Sequence, residues 1–581
     1  MSDKKLVLGI ARRRWPTLAQ LRYLNNLLSF RERLLVGIAT TGFIVSALSL
    51  GIVYYYASTT AQPTQGGTYT EGVVGQPQYI NPILAQANDV DLDLSRLLFS
   101  RLFSRTGNQT LQPDLVSDYS ISEDQLTYTF YLRRNVKWHD GEPLTVDDVL
   151  FTIQAIQDPN YHSPLEPSLR GVTTHRIDDY TFTITLDEPF APFLSSLTFG
   201  ILPEHIWFDA YKVSLQNITL SEYNIKPIGS GPFMFDTLVK DTAGVMKSYS
   251  VVPFADYYDH IPYLERITFV FYPDIYSATE DLRRSTIDGV AFLDRATQEN
   301  VRDKKRGLQY YHLQLPQYTA IFFNQEHSDI LSNDTVRQAL VWGVDRDRII
   351  TEVLGGEGEP IYSPILPGYL GYNTELEHYG FDLAAGQQIL EEAGWKLDVE
   401  SGIRSKGDEL LEFTIATVNQ PEFVAALDIL QSNWTSMGVK VNVNVYEAAD
   451  IQEQIIKPRN YEALLFGEII GVDPDPYAFW HSTQMEHPGL ALAVFYQKNI
   501  DNLLETARKT SDAEQRRLKY FNFQNILAEE LPAIFLYNPY YSYAMSKDIH
   551  GVDHQVVTNP ADRFSNITYW YRDTIRVKST S

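Results

Sequence analysis

The feature that most constrains this chain is an uninterrupted apolar run close to its start. The run extends from Leu34 to Tyr56 and contains 23 residues without a charged side chain. A helix of about 20 apolar residues spans the hydrocarbon core of a bilayer, whereas the apolar part of a cleavable signal peptide has about 7–15 residues. The polar segment that follows, ASTTAQP, offers only a poor small-x-small cleavage site. We therefore expect a retained transmembrane signal anchor, with a removed signal peptide as the alternative.

The distribution of charge predicts the orientation of this anchor. Residues 1–33 carry eight basic and two acidic side chains, and a positively charged flank stays on the cytoplasmic side. Since the whole chain carries −25 and this tail +6, the remainder carries −31. We expect a basic cytoplasmic tail at 1–33, one span at 34–56 and a body on the outer, extracytoplasmic face of the cell membrane. An acidic body repels phosphates, so nucleic acid is not an expected partner.

Composition narrows what the body can be. The chain has 581 residues, which is more than one ordinary hydrophobic core supports, so several domains are expected. It contains no cysteine. Disulfides, thiolate metal sites, cysteine nucleophiles and a lipid-modified cysteine anchor are therefore excluded.

The body shows both strand and helix patterns. Strands are predicted where apolar and polar residues alternate or form short apolar runs, at Leu126–Leu132, Tyr180–Leu186, Ile267–Phe271, Tyr310–Leu315, Ala320–Asn324, Val439–Val445 and Pro532–Tyr537. Helices are predicted at Leu383–Ala393, Phe423–Met437 and Thr510–Glu530, after a Thr145–Asp148 capping box, and from an Asp334 cap through Val344. Helix–glycine–strand order around Gly438 is typical of an α/β unit. The predicted fold class is mixed α/β with more than one sheet.

Three further segments have distinctive compositions. Residues 57–66 are small and polar, which indicates a linker to a body that begins near Gly67. The segment Pro227–Phe233 (PIGSGPF) holds two glycines and two prolines, which indicates a chain crossing rather than a regular element. The tyrosine-rich Pro539–Met545 is interpreted as sheet and surface rather than as a site.

Several short motifs follow one another along the body. The longest runs through Leu126–Arg133 (LTYTFYLR), Val136–Thr145 (VKWHDGEPLT) and Asp148–Thr152 (DVLFT). The shorter ones are Asn81-Pro82, Gly229–Phe233, Phe323-Asn324, Val336–Leu340 with Val344–Arg346, Glu392–Trp395, Asp473–Pro476 and Leu531–Phe535. Together they resemble the family 5 extracellular solute-binding proteins, the oligopeptide, dipeptide and nickel binders of ABC importers. The resemblance covers nearly all of residues 67–545.

The resemblance implies a fold. It is a type II periplasmic-binding-protein-like clamp with two lobes joined by crossing strands and an extra domain of the oligopeptide-binding type. The implied division is a discontinuous lobe I at 67–105, 226–315 and 536–575, domain II at 106–225 and lobe III at 316–535. A closing clamp needs only a few residues that absorb its rotation, and Gly229 and Gly231 in the predicted crossing are the expected hinge.

The resemblance also implies a function. Proteins of this family capture a solute between their lobes and present it to ABC permease subunits, and they use neither ATP nor a cofactor. The expected ligand is a peptide. A metal chelate, an oligosaccharide or an opine held in the same fold is one alternative, and a sensor ectodomain that no longer takes part in transport is another.

Two clusters at first suggest catalysis or metal binding. Trp138–Gly141 (WHDG) supplies at most half a metal site and is interpreted as a structural turn. The acidic stretch Asp473-Pro-Asp475 suggests the paired acids of a glycosidase, but the prolines beside both aspartates favour a rigid loop. The sequence contains no nucleophile elbow, phosphate loop or zinc motif. We therefore expect a binding protein without catalytic residues, metal or cofactor.

The ligand-binding residues are predicted from the strand that leads into this loop. A strand edge holds a peptide by its backbone whatever its side chains, and the resemblance assigns that part to Leu464–Val472, with Ile470 and Gly471 at its end. Asn324 ends the first strand of lobe III and is expected to face the cleft. Aromatic candidates for pocket walls are Tyr318, Tyr477 and Trp480, with core packing as the alternative for Tyr318 and Trp480.

The resemblance raises one question about the ligand's charged end. Peptide binders of the family hold the α-ammonium group with an aspartate in a G-D-Y-P-D-P-like segment, and the corresponding Gly471–Pro476 has Val472 at that place. A shift of one residue turns a side chain to the other face of a strand. Asp473 can still reach the cleft through a bend, or Glu468 can take over the charge. The third alternative is a pocket that has lost its anion and accepts a blocked or uncharged ligand.

Overall fold

The computed structural model describes residues 28–105, 110–213, 221–304, 307–471, 473–553 and 557–578. The predicted basic tail at 1–33 lies outside the described residues as far as residue 27. The chain divides into two compact units. The small unit joins the N-terminal part up to Thr64 to the C-terminal residues from Asp573, and the large unit, Gln65–Arg572, is the body.

The small unit combines an apolar helix with a two-stranded ribbon. Helix α1 (Phe30–Ser58) opens with a capping box between Ser29 and Glu32, and none of its side chains is buried. It is long and apolar enough to cross a membrane. Strand β1 (Thr59–Pro63) follows directly and pairs antiparallel with Thr574–Lys578. Half of the segment predicted as a linker at 57–66 is therefore a strand, Thr59–Pro63, because its β-branched threonines favour extended backbone and the far end of the chain pairs with it.

The body is mixed α/β, as the sequence predicts. The remaining strands are, in chain order, β2 (Thr68–Val74), β3 (Phe103–Arg105), β4 (Leu111–Pro113), β5 (Val116–Ile121), β6 (Thr127–Leu132), β7 (Thr173–Asp178), β8 (Thr181–Thr185), β9 (Phe233–Lys240), β10 (Met246–Pro253), β11 (Arg266–Tyr272), β12 (Gly289–Leu293), β13 (Leu308–Gln314), β14 (Gln317–Phe323), β15 (Gly358–Pro360), β16 (Lys396–Leu397), β17 (Arg404–Lys406), β18 (Glu409–Leu410), β19 (Glu412–Val418), β20 (Lys440–Tyr446), β21 (Ala463–Ile469), β22 (Ala533–Ser546) and β23 (Thr574–Lys578) of the ribbon.

The α-helices of the body alternate with these strands. They are α2 (Asp89–Leu98), α3 (Val146–Gln157), α4 (Glu204–Val213), α5 (Ile275–Arg284), α6 (Arg295–Lys304), α7 (Asp329–Ser332), α8 (Asp334–Trp342), α9 (Arg346–Glu352), α10 (Leu383–Glu392), α11 (Pro421–Ser436), α12 (Ala448–Asp450), α13 (Tyr477–Trp480), α14 (Lys498–Arg508) and α15 (Ala513–Glu530).

One long strand, β22, connects the two halves of the main sheet. The sheet follows the order β20-β19-β21-β14-β22-β12-β2-β11-β10-β9, and β13 and β15 also pair with β22. The first part of β22 pairs with β14 on one half, and its last part pairs with β13 and β12 on the other. A separate four-stranded sheet has the order β5-β6-β8-β7.

Two large hydrophobic cores lie on the two halves of the body. One consists of buried residues between Tyr318 and Tyr537. The other combines buried residues between Tyr69 and Leu313 with a C-terminal group between Tyr543 and Trp570. The chain therefore returns near its end to complete the core in which it began.

The predicted crossing at Gly229 and Gly231 packs against the end of α2. A Cβ atom on Gly229 would lie 1.7 Å from the carbonyl oxygen of Leu98, so only glycine fits there. His139 holds the same crossing, because its Nδ1 accepts a hydrogen bond from the Gly229 N–H at 3.1 Å. Burial lowers the pKa of His139 to about 4. The interpretation of Trp138–Gly141 as a structural turn is confirmed.

Most local predictions from the sequence are confirmed. The Asp148 carboxylate accepts a hydrogen bond from the Thr145 N–H at 2.9 Å in the predicted capping box. Gly394 and Gly438 both have positive φ where α10 and α11 end. The predicted Asp334 cap is wrong, because Asn333 is the N-cap: its Oδ1 accepts a hydrogen bond from the Thr335 N–H at 3.0 Å.

Two boundaries also differ from the prediction. Helix α8 ends at Trp342, before Val344. The segment Pro539–Met545 is sheet, as predicted, but its second half is not surface. Tyr543 is fully buried, because β22 lies in the middle of the main sheet with neighbours on both sides.

Candidate functional site

A cavity of about 590 Å3 lies between the two hydrophobic cores. One group of lining residues belongs to the half with β2, and it includes Arg96, Arg101, Arg105, Ser195 and Asp562. The other group belongs to the half with β21, and it includes Ile469, Ile470, Gly471, Asp473, Asp475, Phe479 and Arg508. Both halves of the body therefore contribute walls to one site.

Strand β21 has a free edge, and its last residue, Ile469, lines this cavity. On one side β14 pairs with it along its whole length, from Ala463 to Ile469. On the other side β19 pairs only with Ala463–Leu465. Within the described part of the chain, residues 466–469 have no neighbouring strand on that side. An unpaired edge offers backbone donors and acceptors to an extended ligand.

Asp473 lines the cavity, but its carboxylate already has a cationic partner. Arg516 donates to Oδ2 from Nη1 at 3.0 Å and to Oδ1 from Nη2. The Asp475 N–H also donates to Asp473 Oδ1, at 3.1 Å. Burial by itself would lower the pKa of Arg516, but the hydrogen bonds and charge of Asp473 raise it above its ordinary value. Both oxygens of Asp473 are therefore engaged.

Asp475 is held in a similar way by Arg508 at the end of α14. The Arg508 Nε donates to Asp475 Oδ2 at 2.7 Å, and the guanidinium lies over the ring of Tyr477 at 4.2 Å and of Phe190 at 5.1 Å. Burial raises the pKa of Asp475, and the charge of Arg508 opposes this. The Arg508 carbonyl also accepts a hydrogen bond from the Ala191 N–H at 2.7 Å. Arg508 thus joins the aspartate loop to the segment that leads into the opposite wall.

Three arginines lie on the other wall of the cavity. Arg96 forms an ion pair with Asp562 at 3.3 Å. The Arg105 Nη2 donates to Ser195 Oγ at 2.9 Å. Burial lowers the pKa of Arg105, and the charge of Asp473 opposes this. Arg101 lines the same wall, where its backbone forms a bridge with Gly200.

The side chain of Glu468, a residue of β21, is buried and does not line the cavity. The Tyr318 hydroxyl donates to Oε2 of Glu468, and the Trp480 Nε1–H donates to the same hydroxyl at 3.3 Å. Oε1 has no hydrogen-bond partner among the described residues. Burial raises the pKa of Glu468 to about 8, although the bond from Tyr318 opposes this. At neutral pH Glu468 is therefore largely a neutral acid.

The predicted ligand residues fall into two groups. Ile470, Gly471 and Asp473 line the cavity, and Tyr477 stacks on His481 beside it, at 4.1 Å between ring centroids.

Glu468, Tyr318 and Trp480 are buried, which for the two aromatic residues favours core packing over a pocket wall. Asn324 is also buried, and its Nδ2 donates to the Arg459 carbonyl at 2.8 Å. Val472 lies outside the described residues. The parts these residues take in binding stay predictions.

Sequence reasoning missed the arginines of the cavity. Arg101 and Arg105 flank Leu102 and Phe103, both of which are buried. Charged side chains that flank an apolar pair are seldom buried unless they are paired, so they often point to solvent or to a cavity. Two arginines around an apolar pair are the pattern in the sequence that indicates this wall of the cavity. None of the family motifs includes these residues.

The arrangement offers backbone pairing and ion pairing to a ligand. Among the described residues there is no group of three or more His, Asp or Glu side chains suited to a metal ion. A strand edge and guanidinium groups can bind an extended polar ligand.

Comparison with known proteins shows which proteins the chain resembles. The sequence model of the bacterial extracellular solute-binding proteins, family 5, matches residues 110–487. The oligopeptide-binding protein AppA of Bacillus subtilis is 27% identical over 519 residues, which covers 88% of this chain and 92% of that protein.

Two solved structures share the fold over most of the chain. The structure of AppA from Bacillus subtilis in complex with a nonapeptide has a TM-score of 0.65 at 26% identity and covers 88% of this chain and 100% of that one. NikZ from Campylobacter jejuni in complex with Ni(L-His) has a TM-score of 0.67 at 26% identity, with 87% and 99% covered.

Proposed function

The chain belongs to the bacterial extracellular solute-binding proteins of family 5, and from this premise we propose that its body captures a peptide between its two halves and delivers it to the permease subunits of an ABC importer. A relative with which it shares 27% identity is an oligopeptide-binding protein. In the solved structure of AppA the ligand is a nonapeptide. The proposal assigns the same class of ligand to the cavity of this chain.

The observation that carries the proposal is the free edge of β21. Residues 466–469 pair with β14 on one side and lack a strand on the other in the described structure, and Ile469–Gly471 continue this edge along the cavity wall. A peptide laid against such an edge is held by its backbone, so that many side-chain sequences are accepted. A cavity of about 590 Å3 has room for a short ligand.

The proposal includes the way the body works. It divides into lobe I, domain II and lobe III with the boundaries implied by the sequence motifs. Gly229 and Gly231 take part in the hinge, because the crossing there is short and glycine has a freer backbone than other residues. Helix α1 anchors the chain in the cell membrane with the body outside. The body captures and releases its ligand without catalysis and without a cofactor.

Ligand identification tests the proposal. The full-length chain, purified in detergent, is unfolded, and the released small molecules are identified by mass spectrometry. We expect peptides. A metal chelate or an oligosaccharide as the retained ligand, together with no binding of any peptide in calorimetry, would contradict the proposal.

Recognition of the peptide backbone by β21 is tested with pairs of peptides that differ in a single chemical group. N-methylation of alternate peptide nitrogens removes donors that pair with a strand edge and should weaken binding about tenfold or more. Exchange of one side chain for another of similar size should change affinity much less. Equal effects of the two changes would argue against recognition by β21.

A further inference from the structure

We propose that the ribbon of β1 and β23 binds anionic phospholipid headgroups of the outer leaflet, and that Arg576 and Lys578 are the residues that contact them. The proposal concerns the small unit alone. It rests on the proposed anchoring by helix α1 and deepens it, because it names a lipid surface as a further partner of the chain. Binding at this level sets the depth at which the anchor lies in the bilayer.

The first step is that helix α1 and the ribbon adjoin directly. The helix ends at Ser58 and β1 begins at Thr59. Strand β23 pairs with every residue of β1, and Lys578 lies opposite Thr59. The last described residues of the chain therefore lie beside the end of the apolar helix, although 517 positions separate Arg576 from Thr59 in the sequence.

The second step is that Arg576 holds the ribbon to the end of the helix. Its Nη2 donates to the carbonyl oxygens of Tyr56 at 3.1 Å and of Thr59 at 2.8 Å, and its Nε donates to Thr59 Oγ1 at 2.9 Å. The guanidinium also lies over the ring of Tyr56, 4.2 Å from the centroid. A cation at this end of a helix satisfies free carbonyl groups and balances the negative end of the helix dipole. The ribbon and the end of α1 are therefore tied together.

The third step is the depth of this junction, which follows from the length of the uncharged run. The 23 residues from Leu34 to Tyr56 span about 35 Å as a helix, whereas the hydrocarbon core of a bilayer is about 30 Å thick. With Arg33 at the inner surface, Tyr54–Tyr56 lie beyond the core, in the layer where tyrosine is typical. Thr59 follows after about 5 Å more, within a headgroup layer about 5–7 Å thick. Its partner Lys578 lies at the same level.

The fourth step is the charge of the ribbon, which contrasts with that of the body. Residues 34–581 together carry −31, but residues 574–581 contain two basic side chains, Arg576 and Lys578, and no acidic one. Strand β1 has no charged residue. An anionic lipid surface repels an acidic segment and attracts a basic one, with a gain of about fivefold in binding for each cation close to it. The charge of the ribbon therefore matches anionic headgroups.

The two cations offer different donors to a phosphate group. Arg576 uses Nε and Nη2 at the end of the helix, and its Nη1 makes no hydrogen bond with a residue that the structure describes. Lys578 is exposed. A guanidinium binds phosphate oxygens in a fixed geometry, and an ammonium group attracts them as a compact charge. Val577, between the two, is 36% exposed and adds an apolar side chain at the boundary between headgroups and acyl chains.

The depth of the ribbon is measured on the full-length chain in vesicles that carry nitroxide lipids. The chain lacks cysteine, so Thr60→Cys provides a single site for a fluorescent label on the ribbon. Thr60 is exposed and pairs with Val577, hence it faces away from Arg576. Gly42→Cys provides a reference label within the helix, where an added Cβ meets no atom within 4 Å. We expect a nitroxide at the headgroup to quench the Thr60 label more strongly, and a nitroxide deep in the acyl chain to quench the Gly42 label more strongly.

Headgroup binding is measured with the same Thr60 label in vesicles of equal parts phosphatidylcholine and phosphatidylglycerol. One lipid at a time carries a nitroxide next to its headgroup, and the ratio of the two quenching efficiencies reports which lipid gathers around the ribbon. We expect phosphatidylglycerol to be enriched, and Lys578→Gln to lower the enrichment about fivefold. Arg576→Lys keeps the charge, so the enrichment should persist although the helix cap is weakened. Arg348→Gln, which removes an exposed cation of the body that pairs with Glu352, should leave the ratio unchanged.

The outcomes separate this inference from the proposed anchoring. If neither nitroxide quenches the Gly42 label, α1 does not lie in the bilayer, and the anchoring and the inference fail together. If the Gly42 label is quenched and the Thr60 label is not, the ribbon stands clear of the membrane, and only the inference is overturned. Equal quenching by the two lipids, or an enrichment that Lys578→Gln does not change, also overturns it while the anchoring stands.

Discussion

Glu71 and Glu468 are both buried on central strands of the same sheet, yet their surroundings differ in one respect. Glu71, on β2, accepts hydrogen bonds from the hydroxyl groups of Tyr69 and Tyr543 and from Arg563 at 3.2 Å. Glu468, on β21, has a tyrosine but no cation in hydrogen-bond contact among the described residues. The first carboxylate is buried together with a positive charge and the second is not.

The difference shows what decides the protonation of a buried acid. Burial raises the pKa of Glu71, but the charge of Arg563 opposes this. For Glu468 the pKa rises to about 8, because only a hydrogen bond and the more distant Arg459 oppose burial. One half of the body thus holds an ionic cluster, and the other holds a neutral acid on β21.

The largest effect is expected where the ionic cluster is broken. Arg563→Met removes the cation that pairs with Glu71 and also with Asp93, at 2.6 Å. Two buried carboxylates are left without compensation, so the free energy of unfolding should fall by about 3–5 kcal/mol. Urea unfolding followed by tryptophan fluorescence measures the loss. The exposed Arg348→Met should stay within about 0.5 kcal/mol of wild type, and a similarly small loss for Arg563→Met would remove the contrast between the two glutamates.

The second effect concerns the neutral acid and depends on pH. The pKa of Glu468 is about 8 in the folded chain and about 4.3 for an ordinary glutamate. Between these values the folded state keeps a proton that the unfolded state releases, so this contribution to stability is complete below about pH 4.3 and is lost as pH rises towards 8.

Glu468→Gln should abolish that contribution to the pH dependence. The difference in unfolding free energy between wild type and variant should change by up to about 1.4 kcal/mol for each pH unit within the window, with the variant gaining on wild type as pH rises. Melting temperatures of both proteins from pH 5 to pH 9 provide the measurement. A difference that does not vary with pH would mean that Glu468 is ionised despite its burial.

The smallest effect on stability is expected when the hydroxyl group of a buried tyrosine is removed. Tyr318→Phe removes the hydrogen bond to Glu468, which should cost about 1–2 kcal/mol because a buried acceptor loses its donor. Tyr249 is the matched control: it is fully buried, and its hydroxyl has no hydrogen-bond partner among the described residues. Tyr249→Phe should therefore be close to neutral in urea unfolding. Equal losses in the two variants would show that the Glu468 contact contributes nothing specific.

Local patterns in the sequence predicted most elements of the fold. The alternation at Leu126–Leu132 and the helix–glycine–strand order at Gly438 depend only on neighbouring residues, and both appear in the structure. The end of the body was harder to predict. Tyr543 belongs to a strand whose partners, β12 and β13, lie more than 200 residues away along the chain, and nothing local shows that such a strand will be covered on both sides.

The site was only half predictable for the same reason. Motif order brought attention to Asp473, but its partner Arg516 lies 43 residues further along the chain. Whether an aspartate is open to a ligand or neutralised by the protein is decided by that partner. The sequence could therefore locate the loop without giving the charge that the cavity presents.

The pairing of β1 with β23 determines where the chain should begin when a version without the apolar helix is made. A version that begins after Pro63 would leave Thr574–Lys578 as an uncovered strand, whose open backbone groups invite pairing with other molecules. A start at Thr59 keeps both strands. The same pairing places Lys578 opposite Thr59, the first residue after α1. A fluorophore fused to the C-terminus therefore reports on the junction with the apolar helix, and a label meant to follow the ligand-binding halves belongs on one of their exposed surface loops.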